Sequence, residues 1–259
     1  MSRQEVRQGN AGRVIAVSGK GGSGKTVLVA LMAGILSKDR KRRILLIDAD
    51  SAACLPSAIG VSVERTVGDI REEIIGDPGA KKKIEDIPMR IVIAEVMERG
   101  KGFDLLVMGR PEGPGCFCAV NDLLRYGIET LSKDFDITLI DCEAGPEQVN
   151  RRVVRSVDTL IIVTDTSMRG IHNARLIKKI TEGYEGTRQA KIGLVINRVK
   201  EDSEGITVAA EETGIRILGC IPEDENITRF DSVGKPIVDL PHDSHSVIAV
   251  GEILREIGF

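Results

Sequence analysis

The chain has 259 residues, enough for one large α/β domain with a filled core or for two small ones. A formal charge of -3 supplies no global basic field and argues against a dedicated nucleic-acid binder, and no apolar stretch of about 18 residues is present to span a membrane. Five cysteines, an odd number behind a polar opening segment with no apolar signal stretch, argue against a disulfide framework and predict reduced thiols in a soluble cytoplasmic protein.

Residues 1–12 read as a flexible lead-in and 13–259 as a single domain. Apolar runs then alternate with helical patterns as in repeated βαβ units. Strands are predicted over 13–17, 43–47, 103–108, 137–140, 159–163, 191–196 and 216–220, most of them Val/Ile/Leu-rich on both faces. Residues 27–36 read as an apolar helix. Between Ser57 and Gly102 the pattern loosens, which predicts helices and a surface excursion, with Lys81, Lys82 and Lys83 on a solvated face. This pattern predicts an α/β fold class, three layers with a mainly parallel central sheet. Right-handed crossovers place every strand-to-helix loop on one sheet edge, so motifs that follow strands should converge.

The motif after the first strand is Gly19-Lys20-Gly21-Gly22-Ser23-Gly24-Lys25-Thr26, a G-x-x-x-x-G-K-T phosphate loop followed by Val27. Its glycines let backbone N–H groups turn toward an anion, Lys25 is placed to reach the β/γ-phosphates, and the Thr26 hydroxyl to ligate Mg²⁺ at a helix N-terminus. Asp48-Ala49-Asp50-Ser51 follows the second strand and Asp141-Cys142-Glu143-Ala144-Gly145 the fourth. Phosphoryl transfer needs a positioned water, a metal and cations for the developing charge. Asp50 is the candidate for orienting water, Asp141 for the outer Mg²⁺ shell and Gly145 for a backbone contact to the γ-phosphate. Asn197, after the sixth strand, reads either as a base-edge contact or as a turn former, with Pro222, Glu223 and Asp224 closing over the base.

Lys20, the D-x-D and the D-x-x-A-G together resemble the deviant Walker A ATPases, from residue 13 through the Pro222 region. That group includes MinD and ParA partition proteins, the nitrogenase iron protein, arsenite and tail-anchor targeting ATPases and metal-cluster maturation factors. The resemblance implies ATP and Mg²⁺ as ligands, a homodimer across the nucleotide, and a catalytic set of Lys20, Lys25, Asp50 and Asp141 in which Lys20 reaches the partner's site. Ser51 stands where many members have proline and Val27 where a second Thr or Ser is common, which implies retuned hydrolysis.

After the third strand, Cys116-Phe117-Cys118 lies in a Gly/Pro-rich turn. Two thiolates rarely fill a metal shell, and a two-fold dimer would supply the pair twice. Residues 109–125 resemble the cysteine segment of CooC-type accessory ATPases, which assist nickel insertion into carbon monoxide dehydrogenase. This implies nickel or zinc shared across the dimer at Cys116 and Cys118, and a client metalloenzyme of the carbon monoxide dehydrogenase or acetyl-CoA synthase type, with neither nucleic acid nor membrane as partner. Cys142 is either an incidental small residue or a third thiol near the metal. Two rival readings are an iron-protein-like ATPase with a bridging [4Fe–4S] cluster and a MinD/ParA-type partition ATPase, the latter with Arg151, Arg152, Arg155 and Arg169 as its basic patch. His242 and His245 read as loop and cap residues before the final helix, His172 as the start of an earlier helix, Cys54 as a small helix residue and Cys220 as core.

Overall fold

A computed structural model describes residues 12–76, 87–110, 129–145, 157–183, 190–200 and 204–259. Eight strands form one sheet: β1 (Arg13–Gly19), β2 (Ile44–Ala49), β3 (Met97–Arg99), β4 (Asp104–Val107), β5 (Ile137–Cys142), β6 (Thr159–Thr164), β7 (Lys191–Val199) and β8 (Arg216–Pro222). Their order is β3-β4-β2-β5-β1-β6-β7-β8, parallel throughout except for the antiparallel β3–β4 pair.

The strands are apolar on both faces because each face carries helices. Alternate residues point opposite ways. Ile15, Val17, Leu46, Leu139 and Ile161 pack with α1 (Lys25–Leu36), α2 (Leu55–Ile59) and α8 (His245–Glu256). Ala16, Leu45, Ile47, Ile140 and Ile162 face the other way, with α3 (Val67–Gly76), α4 (Met89–Ala94), α5 (Met168–Glu182) and α6 (Glu204–Glu211). The predicted three-layer arrangement therefore holds, and a further short helix, α7 (Glu225–Ser232), follows β8.

Four local expectations need correcting. Strand β3 falls where only helices and a surface excursion were expected; its three residues, Met-Glu-Arg, carry no strand pattern, and its pairing to Asp104–Val107 comes entirely from tertiary context. Cys54 is exposed at the N-cap of α2, outside the helix interior. Cys220 is exposed on β8, which closes one end of the sheet, so it is not a core residue. His172 lies one turn inside α5, whose start is Met168 with the Ser167 hydroxyl accepting the Gly170 N–H at 3.1 Å. His242 sits in a loop with a ring nitrogen 3.0 Å from Lys38 Nζ, and His245 opens α8.

Leu139 lies in β5 between β2 and β1 and is fully buried. Replacing Leu139 by Ala should cost about 2–5 kcal/mol of stability, the range for a large-to-small change in a core that relaxes only partly. Urea unfolding of both proteins measures it, and a loss below about 1 kcal/mol would mean the central sheet repacks freely.

Candidate functional site

The loops after β1, β2 and β5 meet because these strands are parallel neighbours in register. Asp141 pairs with Val17 on one side and with Asp48 on the other. The row of strand ends thus sets the phosphate loop beside two carboxylates.

Within the loop, Gly24 has φ 98° and a Cβ there would lie 2.1 Å from Asn197 Nδ2, so only glycine fits. Gly19 packs its Cα so closely on β6 that an added Cβ would meet the Val163 carbonyl oxygen at 2.2 Å. Gly24 ends the loop and Lys25 opens α1, leaving the first-turn N–H groups of that helix directed at the loop. Lys25 is only 7% exposed. The Thr26 hydroxyl donates to Asp141 Oδ2 at 2.6 Å, while Asp141 Oδ1 and the Ser23 hydroxyl are buried without a hydrogen-bond partner among the described residues. An orphaned carboxylate oxygen and an orphaned hydroxyl beside a buried lysine fit a ligand that brings both cation and anion, as Mg·ATP does.

Asp48, to which the sequence assigned no role, is the most constrained carboxylate here. It is fully buried, and accepts from the Asp50 N–H at 3.0 Å and the Leu55 N–H at 3.0 Å. Burial, with the charge of Asp141 added, pushes its pKa up to about 7 despite those two N–H donors. Burial likewise raises Asp141 to about 6, against the opposing Thr26 hydrogen bond and the charge of Lys25. Asp50 is half-buried at the mouth and accepts the Ala52 N–H at 2.9 Å.

Other predicted site residues make contacts within the protein itself. Asn197 is buried against the phosphate loop, its amide donating to the Ser23 carbonyl at 2.8 Å and its oxygen accepting the Arg198 N–H at 2.9 Å, so it braces the loop. Asp224 caps α7 and accepts from Asn226 N, Ser246 N and the Ser246 hydroxyl at 2.6–2.9 Å. Burial alone would raise its pKa, but those donors outweigh it and hold it low, the signature of a structural cap. Pro222 ends β8 and Glu223 is exposed with Lys200 Nζ 3.1 Å away. The Gly145 N–H, expected at the γ-phosphate, donates to the Gly19 carbonyl at 3.0 Å, tying the segment after β5 to the phosphate loop.

Lys20 turns away from its own loop. Its Nζ lies 2.7 Å from Asp165 Oδ2, and the pair is partly exposed, with side-chain exposures of 33% and 23%. Burial would raise Asp165, but hydrogen bonds from Lys20 and Ser167 and the charge of Lys20 prevail and keep it ionised. Asp165, at the end of β6, was not singled out in the sequence; a carboxylate one residue past a strand end on the same edge was the available signal.

Cys142 is fully buried in the core, and burial together with the Asp141 charge pushes its thiol up to about 12. It is therefore a small core residue, and the third-thiol option falls. Cys116 and Cys118 lie outside the described residues, as do Arg151, Arg152 and Arg155; Arg169 is exposed on α5. Among the described residues no group of three or more His, Cys, Asp or Glu side chains is placed to hold a metal ion, and no helix is long and apolar enough to cross a membrane.

Comparison with known proteins agrees with this geometry. Residues 14–237 match the CobQ/CobB/MinD/ParA nucleotide binding domain family. An uncharacterized ATP-binding protein of Methanocaldococcus jannaschii is 42% identical over 255 residues, covering 94% of this chain and 98% of that one. The carbon monoxide dehydrogenase accessory protein CooC of Rhodospirillum rubrum is 32% identical over 270 residues, covering 94% and 97%. Among solved structures, the cell division ATPase MinD of Pyrococcus furiosus superposes with a TM-score of 0.72 at 24% identity, covering 95% of this chain and 98% of that one.

The raised carboxyls make a pH prediction. A carboxyl that holds its proton more tightly when folded than when unfolded favours the fold at low pH, and this contribution is lost as pH rises through about 6 to 7. In EDTA and without nucleotide, the protein should lose about 1–2 kcal/mol between roughly pH 5.5 and pH 8, and Asp48→Asn should flatten that slope although it gives up one acceptor for the Asp50 and Leu55 N–H groups. Denaturant melts at the two pH values decide it: a wild-type stability that stays level or rises would show that the two carboxyls are ionised in the folded protein.

Proposed function

The chain belongs to the CobQ/CobB/MinD/ParA nucleotide-binding family of ATP-hydrolysing P-loop proteins, and on that premise we propose that it is a nucleotide-switched homodimeric ATPase whose mechanics are of the MinD/ParA kind. The observation that carries this reading is Lys20. It sits at the rim of the phosphate loop, bonded to Asp165 and partly exposed, so its charge is available to a second subunit once that ion pair is exchanged for a phosphate.

In this reading Lys25 and the N–H groups at the start of α1 bind the phosphates, and Thr26 holds Mg²⁺ with its hydroxyl aligned by Asp141. Bound Mg²⁺ neutralises phosphate charge and favours ionised Asp48 and Asp141 beside it. Asp50 orients the attacking water from the mouth, held by the Ala52 N–H. Loss of the γ-phosphate is felt at Gly145, whose N–H already links the segment after β5 to Gly19. Nucleotide state then governs how two subunits pack.

A second, finer reading concerns cargo. The 32% identity to CooC across nearly the full length of both chains, together with Cys116 and Cys118 in the sequence, supports carriage of nickel or zinc to a metalloenzyme of the carbon monoxide dehydrogenase or acetyl-CoA synthase type. With Cys142 sealed in the core, a bridging [4Fe–4S] cluster would also have to rest on Cys116 and Cys118.

Variants of the two lysines and a nickel titration separate these layers. Lys25→Ala should weaken ATP binding roughly 10- to 100-fold, the about 1.5–3 kcal/mol of a charged hydrogen bond. Lys20→Ala should leave binding within about threefold yet abolish both hydrolysis and ATP-dependent dimerisation, as measured by turnover and light scattering. Turnover per subunit that does not change with protein concentration would rule out the dimer. Anaerobic nickel titration of reduced protein beside a Cys116→Ala/Cys118→Ala variant should give one metal per dimer, lost in the variant; thiolate-independent binding leaves the partition-type switch without a metal cargo.

A further inference from the structure

The sheet's other edge, where the parallel strands begin, carries a hollow of about 310 Å³ that has no part in the nucleotide site. It is lined by Arg42 and Arg43 from the α1–β2 connection, Arg99 from the end of β3, Asp104 and Phe103 from the start of β4, and Phe135 before β5. Two segments distant in sequence, the α1–β2 connection and the end of β3, therefore bring three arginines to one concavity. In a chain whose net charge is -3 this is a local inversion of sign. The sequence supplies it in one burst, Lys38-Asp39-Arg40-Lys41-Arg42-Arg43, and the β3–β4 hairpin adds Arg99 and Lys101.

The pairing of these charges is incomplete. Arg42 bonds Asp39 at 3.0 Å, but neither Arg43 nor Arg99 holds a salt bridge among the described residues. Asp104 lies directly across the β3–β4 pair from Arg99 and is the single acid lining the hollow. With Arg42 answered by Asp39, Arg43 and Arg99 against Asp104 leave a net lining charge of +1, 2 - 1. Such clustering of like charge costs free energy unless an anion answers it, and arginine's planar fork suits phosphate oxygens in pairs. The scaffold is stiff: Gly100 N–H bonds the Phe103 carbonyl at 2.8 Å to close the hairpin, and a Cβ at Gly102 would lie 3.1 Å from Ser37 and 3.5 Å from an Arg40 guanidinium nitrogen. A volume of about 310 Å³ lies at the small end of ligand pockets and matches one phosphorylated small molecule better than a duplex, which needs a long basic track.

We propose that the hollow formed by Arg42, Arg43 and Arg99 is a second anion site that binds a small phosphate-bearing ligand, on the sheet edge opposite the phosphate loop. The planar forks of Arg43 and Arg99 suit the paired oxygens of a phosphate monoester or of one end of a pyrophosphate. The two phenylalanines are buried, so no stacking platform is offered and recognition is carried by charge and fork geometry.

The test uses the full chain with the nucleotide site saturated by Mg·ADP, so that the phosphate loop cannot take the probe. Pyrophosphate is titrated calorimetrically into wild type and into Arg43→Gln/Arg99→Gln. One equivalent bound by wild type and at least tenfold weaker binding by the variant, with ATP turnover unchanged in both, supports the site. A variant that binds pyrophosphate as wild type does, or a wild type that binds none, overturns it. A short DNA duplex is the competing arm: binding of duplex tighter than pyrophosphate, lost in the same variant, would replace a small-molecule pocket by a polyanion track. Because both arginines lie away from the phosphate loop, these outcomes are independent of the Lys20 and Lys25 results. Thermal melting of the variant within a few degrees of wild type confirms that a loss of binding is not a loss of fold.

Discussion

Everything at the nucleotide edge depends on two carboxylates being held side by side. Asp48 and Asp141 are cross-strand neighbours on β2 and β5, both buried, and burial raises both toward neutrality. Such a pair is costly in isolation and acceptable only where cations and donors are fixed around it. The chain fixes them locally: Lys25 from the start of α1, the Thr26 hydroxyl, and the N–H groups of Asp50 and Leu55. Sheet register decides which residues meet, and electrostatics then decides that they meet as a metal-phosphate site.

The same constraint explains what was readable in the sequence. The phosphate loop was legible because its chemistry is local: an octamer sets backbone φ, lysine and hydroxyl without reference to the rest of the chain. The parallel sheet was legible because strands covered on both faces are continuously apolar. Asp48 and Asp165 were less legible, since each matters through its neighbour in space. Asp48 gains its character from burial under the packed sheet, with the charge of Asp141, 93 positions away in the chain (141 - 48), added, and Asp165 is held low by Lys20, 145 positions away. Asn197 and Asp224, polar residues at strand ends on the ligand edge, also serve the protein itself, one bracing the phosphate loop and the other capping a helix, a use that the sequence does not display. The cysteines divide the same way: burial, invisible in spacing, turns Cys142 into core, while Cys54 and Cys220 emerge at surfaces that a local apolar pattern does not reveal.

Family membership and cargo rest on different parts of the chain. The family match spans residues 14–237, which include the phosphate loop and the strand-end acids. The features that would separate a metal carrier from a partition protein lie in the segment after β4, so similarity over the sheet shows the ATPase family and does not distinguish the two. Lys20 belongs to the phosphate loop. Its pairing with Asp165 means that any role for Lys20 across a dimer must first break a bond of 2.7 Å at a partly exposed site, which costs little there and keeps the exchange reversible.

Helix α1 joins the two anion-attracting regions of the molecule. Its 12 residues span about 18 Å, from the phosphate loop to the Lys38–Arg43 connection. The N-terminal end of the helix is electropositive and favours phosphate, whereas its C-terminal end favours cations. Dipole compensation alone therefore accounts for a lysine or arginine just past Leu36. It does not account for Arg99, which arrives from β3 on a separate hairpin, nor for Arg43 lining the same hollow without a salt bridge among the described residues. A charge placed only to answer a helix end would be met by one side chain in the last turn, and α1 has no basic residue in its last turn. The arginines gather beyond the helix, around a concavity, and that placement is what an anion would select.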